Sequence, residues 1–172
     1  LAQAEAVVSD MDIDAEGGRR WNLAQLEALL GRARSDPRAA SAALDRAEQV
    51  VRRLDLPPSL AEATRVERAT LAAELGDLDA AVAAYRDLVD AHPPGTACDR
   101  PGAVARENLA WFEMLRRRAG LAPDPALDTA ALLQDAARGY RRCGADPADL
   151  GSVAVNEAFA AWAAGDDDAV LS

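Results

Sequence analysis

Apolar residues recur along this chain at steps of three and four, the spacing that lines up side chains on one face of a helix. Leu23, Leu26, Leu30 and Ala33 form one such stripe, and Leu44, Ala47, Val51 and Leu54 a second. Leu78, Ala81, Val82, Tyr85, Leu88 and Val89 form a third. No stretch alternates apolar and polar residues in the manner of a half-buried strand. The stripes are punctuated at both ends. Asp36-Pro37, Asp124-Pro125 and Asp146-Pro147 each set a capping aspartate before a proline suited to a first helical turn, and Ser59 with Glu62 fits a capping box. Gly76, Gly120, Gly144 and Gly165 each follow a helical run, where a left-handed closing residue is favoured. Together these marks predict helices near 21–34, 38–54, 59–75, 78–91, 102–119, 128–143 and 148–164, with a short one near 1–9. The breaker-rich stretch from His92 to Gly102 is the loop predicted to be the most mobile.

Composition sharpens the fold class. Half of the residues are hydrophobic but only 4% are aromatic, and the abundance of alanine favours closely packed helices over a sheet. The net charge of −10 argues against nucleic acid, whose phosphates need clustered positive charge. All 19 basic residues are arginine, a usage that suggests a bacterium with a GC-rich genome. No run of apolar residues is long enough to span a membrane, and the amino terminus lacks the positive region of a signal peptide. Cys98 and Cys143 fall on different loops or helix ends. Two cysteines in a chain of 172 residues do not make a disulfide framework, which reads as a reducing cytoplasm. The chain starts without Met and stops just after a turn motif, so it is expected to be a segment of a larger protein.

One phrase, Gly76-Asp77-Leu78-Asp79-Ala80-Ala81-Val82-Ala83-Ala84-Tyr85, ends a helix, turns and begins the next; a degraded copy stands at Gly165-Asp166-Asp167-Asp168-Ala169-Val170. Residues 62–93, with Ala69, Gly76-Asp77, Ala81, Tyr85 and Pro93, resemble one tetratricopeptide repeat. Asn108-Leu109-Ala110 and Asn156-Glu157-Ala158 resemble the family's Asn-Leu-Gly step. The likeness is to a divergent bacterial form: Arg68 stands where the family usually has Leu, and turns near Ser35, Gly76, Arg117 and Gly165 give a period of 41 to 48 residues in place of the family's usual 34 or so. The resemblance implies an all-α, right-handed superhelical solenoid of antiparallel helix hairpins running through the whole chain as one segment. It also implies a concave face built from the first helices of the repeats, a surface for protein partners. In that register the groove is lined by Val66, Thr70 and Ala73, then Glu107, Trp111 and Met114, then Val155, Phe159 and Trp162. The partner-binding set is Val66, Thr70, Trp111, Phe159 and Trp162. The same stripe also reads as core packing. Asn108 matches one residue of the family's carboxylate clamp, but the other clamp positions carry no positive charge, so the groove reads as apolar.

Other candidate chemistry reads as structure. Asp10, Asp12 and Asp14 sit at alternate positions like the start of a calcium loop, but Ala15 and Trp21 stand where such a loop needs Gly and a bidentate Glu. His92 and Cys98 lack the orienting group and oxyanion element of a nucleophilic pair. A zinc site would find at most three distant ligands. The arginines of 116–118, with Arg138, Arg141 and Arg142, sit in last helical turns, where cations are favoured. No catalytic residue, metal or cofactor is therefore expected. The function expected is a non-catalytic interaction or scaffold module whose partner is a protein or peptide, another part of the same polypeptide included, and neither nucleic acid nor membrane. The alternatives are an accessory or sensor domain of a larger bacterial signalling protein or caspase-like (CHAT) peptidase, and a self-association module.

Overall fold

The computed structural model describes residues 15–95, 97–144 and 146–163. Seven helices, and no strand, are found among these residues. They are α1 (Ala15–Ala33), α2 (Pro37–Arg53), α3 (Pro58–Glu74), α4 (Leu78–Ala91), α5 (Arg100–Arg118), α6 (Thr129–Arg142) and α7 (Pro147–Ala163). Asp36, Asp77, Asp99 and Asp128 cap α2, α4, α5 and α6, each accepting a backbone N–H three residues on, which satisfies one of the donors a helix start leaves open. Gly76, Gly120 and Gly144 close helices at φ of +82°, +78° and +65°. Ser35 and Asp55 adopt the same left-handed region at +53° and +49°. The short helix expected near 1–9, the acidic run at Asp10, Asp12 and Asp14, and the turn at Gly165 lie outside the described residues.

Two capping expectations are corrected. Asp124 does not start a helix. Its carboxylate accepts the N–H of Ala126 and its carbonyl that of Leu127, making a turn, and α6 begins after Asp128. Ser59 does not cap α3; the cap is Pro57, with no side-chain bond, and Pro58 occupies the first turn.

The chain divides between Gly76 and Asp77 into two compact units. In the first unit, α1 and α2 form an antiparallel hairpin and α3 packs on α2. The hairpin is built on small residues. Ala28, Ala40, Ala43 and Leu44 bury one another with Leu71, and a Cβ placed on Gly31 would come within 2.6 Å of the Ala40 nitrogen. The expected core stripe of α1 is thereby displaced. Ala24 and Ala28 face inward, while Leu23 and Leu30 stand 56% and 51% exposed. The physical reason is distance, because two backbones this close leave room for Gly and Ala but none for Leu. Val51, Leu56 and Leu60 form a second cluster with Trp21 against it.

Side chains also join α1 to α3. Trp21 and Gln25 both donate to the buried hydroxyl of Thr64 at 3.0 Å, and Thr64 donates to the Leu60 carbonyl. Arg32 reaches Glu67 at 2.7 Å and, through Nε, Glu74 at 2.9 Å. These ties advance together along both helices, so α1 and α3 run parallel. The hydrogen bond from Arg32 holds the Glu74 carboxyl below the usual carboxylate range.

In the second unit, α4, α5 and α6 pack in order, and α7 packs on both α6 and α5. Ala103, Ala110, Leu133, Ala136, Ala137, Tyr140 and Val153 form the core. Here too backbones nearly touch: a Cβ on Gly139 would lie 2.8 Å from that of Ala103. Of the α4 stripe, Ala81, Val82, Tyr85 and Leu88 are buried, as expected, and Tyr85 stacks on Phe112 with ring centroids 5.3 Å apart. Glu113, fully buried, accepts from Arg116, Arg117 and the Asp124 N–H, tying the end of α5 to the loop after it. The expected pairing of 59–75 with 78–91 falls on the division between the units; within them, α3 pairs with α2 and α4 with α5.

The close approach predicts a contrast between two glycines, one in each unit. Gly31→Ala should overpack the hairpin and cost about 1–3 kcal/mol. Gly151→Ala in α7, with nothing within 4 Å of the added carbon, should stabilise by about 0.5–1 kcal/mol. Urea denaturation that gave both the same sign would contradict the close approach. A second prediction concerns pH. A carboxyl whose folded pKa is depressed contributes stability above its unfolded value and loses it as pH falls through the folded value. The gap between parent and Glu74→Gln should therefore be present at neutral pH and shrink as pH falls through the depressed folded value, measured as urea midpoints.

Candidate functional site

The predicted groove residues divide between the units. Val66 and Thr70 lie half-buried on α3, where the Thr70 hydroxyl donates to the Val66 carbonyl at 3.0 Å. Trp111 on α5 and Phe159 on α7 are brought together: their rings sit 5.3 Å apart, tilted by 52°, and both are half-buried. Trp162 falls in the last turn of α7, but its side chain is outside the described residues. Met114 belongs to the core, and Val155 is 67% exposed.

The α5–α7 face has a polar hub one helical turn from this ring pair. Glu107 stands four residues before Trp111, so the two share a face of α5. Its carboxylate, nearly buried, accepts from the Tyr140 hydroxyl of α6 at 2.7 Å, from the Ser152 hydroxyl of α7 at 2.5 Å and from the Asn156 amide of α7 at 3.0 Å. One side chain thus holds three helices in register. Asn156 and Phe159 are spaced by three on α7, so the polar and aromatic contacts continue one another along a parallel pair of helices. Arg118 lies over the Phe159 ring at 5.9 Å and Arg100 over Tyr140 at 5.7 Å. The seam reads, from the start of α5 onward, as a cation over a phenol, a buried carboxylate with neutral donors, an aromatic pair, and a second cation.

The second cluster lies at the start of α5. Asp99 caps the helix and pairs with His92 Nδ1 at 3.0 Å, and Arg106, buried, donates to the His92 carbonyl. Beside them Cys98 and Cys143 form a disulfide with Cα atoms 4.7 Å apart. Two expectations are corrected here. The cysteines are paired, because the antiparallel α5–α6 hairpin brings the residue before one helix beside the residue after the other. The loop predicted to be most mobile is linked at His92 and Asp99 by their pair and at Cys98 by the disulfide. Among the described residues, no group of three His, Cys, Asp or Glu side chains is placed to hold a metal ion, and no helix is long and apolar enough to cross a membrane.

Sequence reasoning placed Glu107 on the groove face without its role. The signal available was its spacing of four from Trp111; the partners Tyr140 and Ser152 carried none. No family model matches the chain, and no curated protein or solved structure matches it.

Removing the hub should be costly. Glu107→Ala leaves the Tyr140 hydroxyl and the Asn156 amide without their acceptor, at about 1–3 kcal/mol. Urea denaturation should show that loss; an unchanged midpoint would remove Glu107 from its place at the centre of the seam.

Proposed function

We propose that this chain is a non-catalytic protein-binding module of divergent tetratricopeptide type, and that the α5–α7 face presents the Trp111–Phe159 pair to a partner. The observation that carries the reading is the lateral, parallel pairing of alternate helices. In the first unit α1 and α3 are joined through Thr64, and in the second α5 and α7 through Glu107 and the ring pair. A stack of hairpins requires that arrangement, since each hairpin buries its open side only against the next. The half-buried state of both rings supports a role in recognition: a partner still has aromatic surface to cover. With the positions of the family's clamp occupied by Thr70, Val66, Val155 and Phe159, the favoured ligand is an apolar helix or extended segment, not a free carboxylate.

The reading is tested by selecting peptides from a random displayed library against the whole chain and measuring their affinity by calorimetry. An aromatic anchor carries about 2 kcal/mol or more, so Trp111→Ala should weaken the selected peptides by roughly thirty-fold. Peptides that bind equally well to Trp111→Ala, or a library that yields none, would rule out this face.

A further inference from the structure

We propose that Cys98 and Cys143 form a reversible thiol–disulfide latch that fastens the loop between α4 and α5 to the end of α6 and is opened by small thiols or dithiols. Three observations carry this. The bond lies at the solvent edge: Cys98 is exposed, Cys143 is only partly covered, and Pro93, Pro94, Gly95 and Ala97 around it are exposed as well. An external thiol therefore reaches sulfur without any helix moving, which is the access that exchange requires. The second observation is that α5 and α6 hold together without the bond. Their contact runs through Ala103, Ala110, Leu133, Ala136 and Tyr140, all buried, and through the near-touching backbones at Ala103 and Gly139. Among the described residues, the two ends of the loop are held by Arg106 on the His92 carbonyl and by the His92–Asp99 pair, and the disulfide fastens Cys98 between them. Opening the bond frees Cys98 and the exposed residues Pro93, Pro94, Gly95 and Ala97 beside it, and leaves the helices in place.

The third observation is the charge around the two sulfurs. Cys98 directly precedes the cap of α5, whose N-terminal end favours a thiolate, and Arg100 follows. Arg141 and Arg142 precede Cys143. Asp99 and Asp146 are the opposing charges in the two segments; the Asp99 carboxylate is engaged by the Gly102 N–H and by His92, and that of Asp146 by the Ala148 N–H. The N-terminal end of α5 favours a thiolate departing at Cys98 and so speeds exchange there. In the reaction an external thiolate attacks one sulfur, the S–S bond breaks, and the other cysteine leaves as a thiolate that takes a proton. A second external thiol then resolves the mixed disulfide. The protein gains two electrons and two protons, and the reductant leaves as its own disulfide.

The test uses the whole chain, oxidised, in native buffer with dithiothreitol, then glutathione disulfide, with alkylation and mass spectrometry to count thiols. Reduction is expected to go to completion without denaturant, with the far-ultraviolet helical signal unchanged at room temperature, and to reverse on adding glutathione disulfide. Amide exchange at Gly95, Ala97 and Cys98 should speed up at least ten-fold on reduction, with α6 and the body of α5 unchanged. Cys98→Ser and Cys143→Ser should each show the fast-exchanging loop without reductant. Reduction that needs denaturant, loss of helical signal on reduction, or a loop whose exchange is the same in both states would overturn the latch.

Discussion

Everything in this chain follows from how closely the helices of a hairpin approach. At Gly31 against Ala40 and at Gly139 against Ala103, there is no room for one more carbon between the backbones. That constraint fixes the character of the interior. A core of alanine and glycine gains dispersion contacts from close packing, but little from burying large side chains, since hydrophobic stabilisation scales with the apolar area removed from water. It also decides where the large residues go. Leucines that would dominate an ordinary helix face are turned outward on α1, and the aromatic rings pack away from these closest approaches: Tyr85 on Phe112, Trp111 on Phe159, Trp21 beside Thr64.

This explains which parts of the fold were legible in the sequence. Six of the helices begin and end within two residues of their expected positions, and where a capping aspartate or a closing glycine was read correctly, as at Asp36, Gly76 and Gly120, the signal acts locally, without help from the rest of the chain. The exception is α1, which starts six residues before its expected position. Gly17 and Gly18 are poor helix formers, and what keeps them helical is tertiary: a Cβ at Gly17 would come within 2.9 Å of the Leu56 side chain. Its inward face was misread for the same reason. Ranking residues by hydrophobicity favours Leu23 and Leu30, whereas the close approach selects Ala24 and Ala28.

The candidate site was half legible. The spacing of Trp111 and Phe159 on their helices predicted one face, and the two rings do meet. Val66 and Thr70 follow from the same register but stand on the other unit. The disulfide was hidden because a separation of 45 residues carries no local signal; only an antiparallel α5–α6 hairpin brings the two cysteines together. Glu107 was hidden because a glutamate on a helix is ordinarily solvated, and its three donors come from two other helices.

Small-residue hairpins create a problem that the seams solve. An interface of alanine and glycine looks much the same after a slide of one helical turn, so it specifies distance better than register. The hubs remove that freedom. Sliding α7 along α5 would take Ser152 and Asn156 away from Glu107 and leave a nearly buried carboxylate short of donors. Sliding α3 along α1 would strip Thr64 of both the Trp21 and the Gln25 donors. Each unpaired group costs about 1–3 kcal/mol, comparable with the energy separating neighbouring registers in a smooth interface, and networks of such bonds fail together. The hairpins therefore set how near the helices lie, and polar ties set how they are aligned: Thr64 with Arg32 in the first unit, Glu107 in the second. The Trp111–Phe159 pair inherits its geometry from that alignment, since it lies one turn beyond Glu107 on the same two helices.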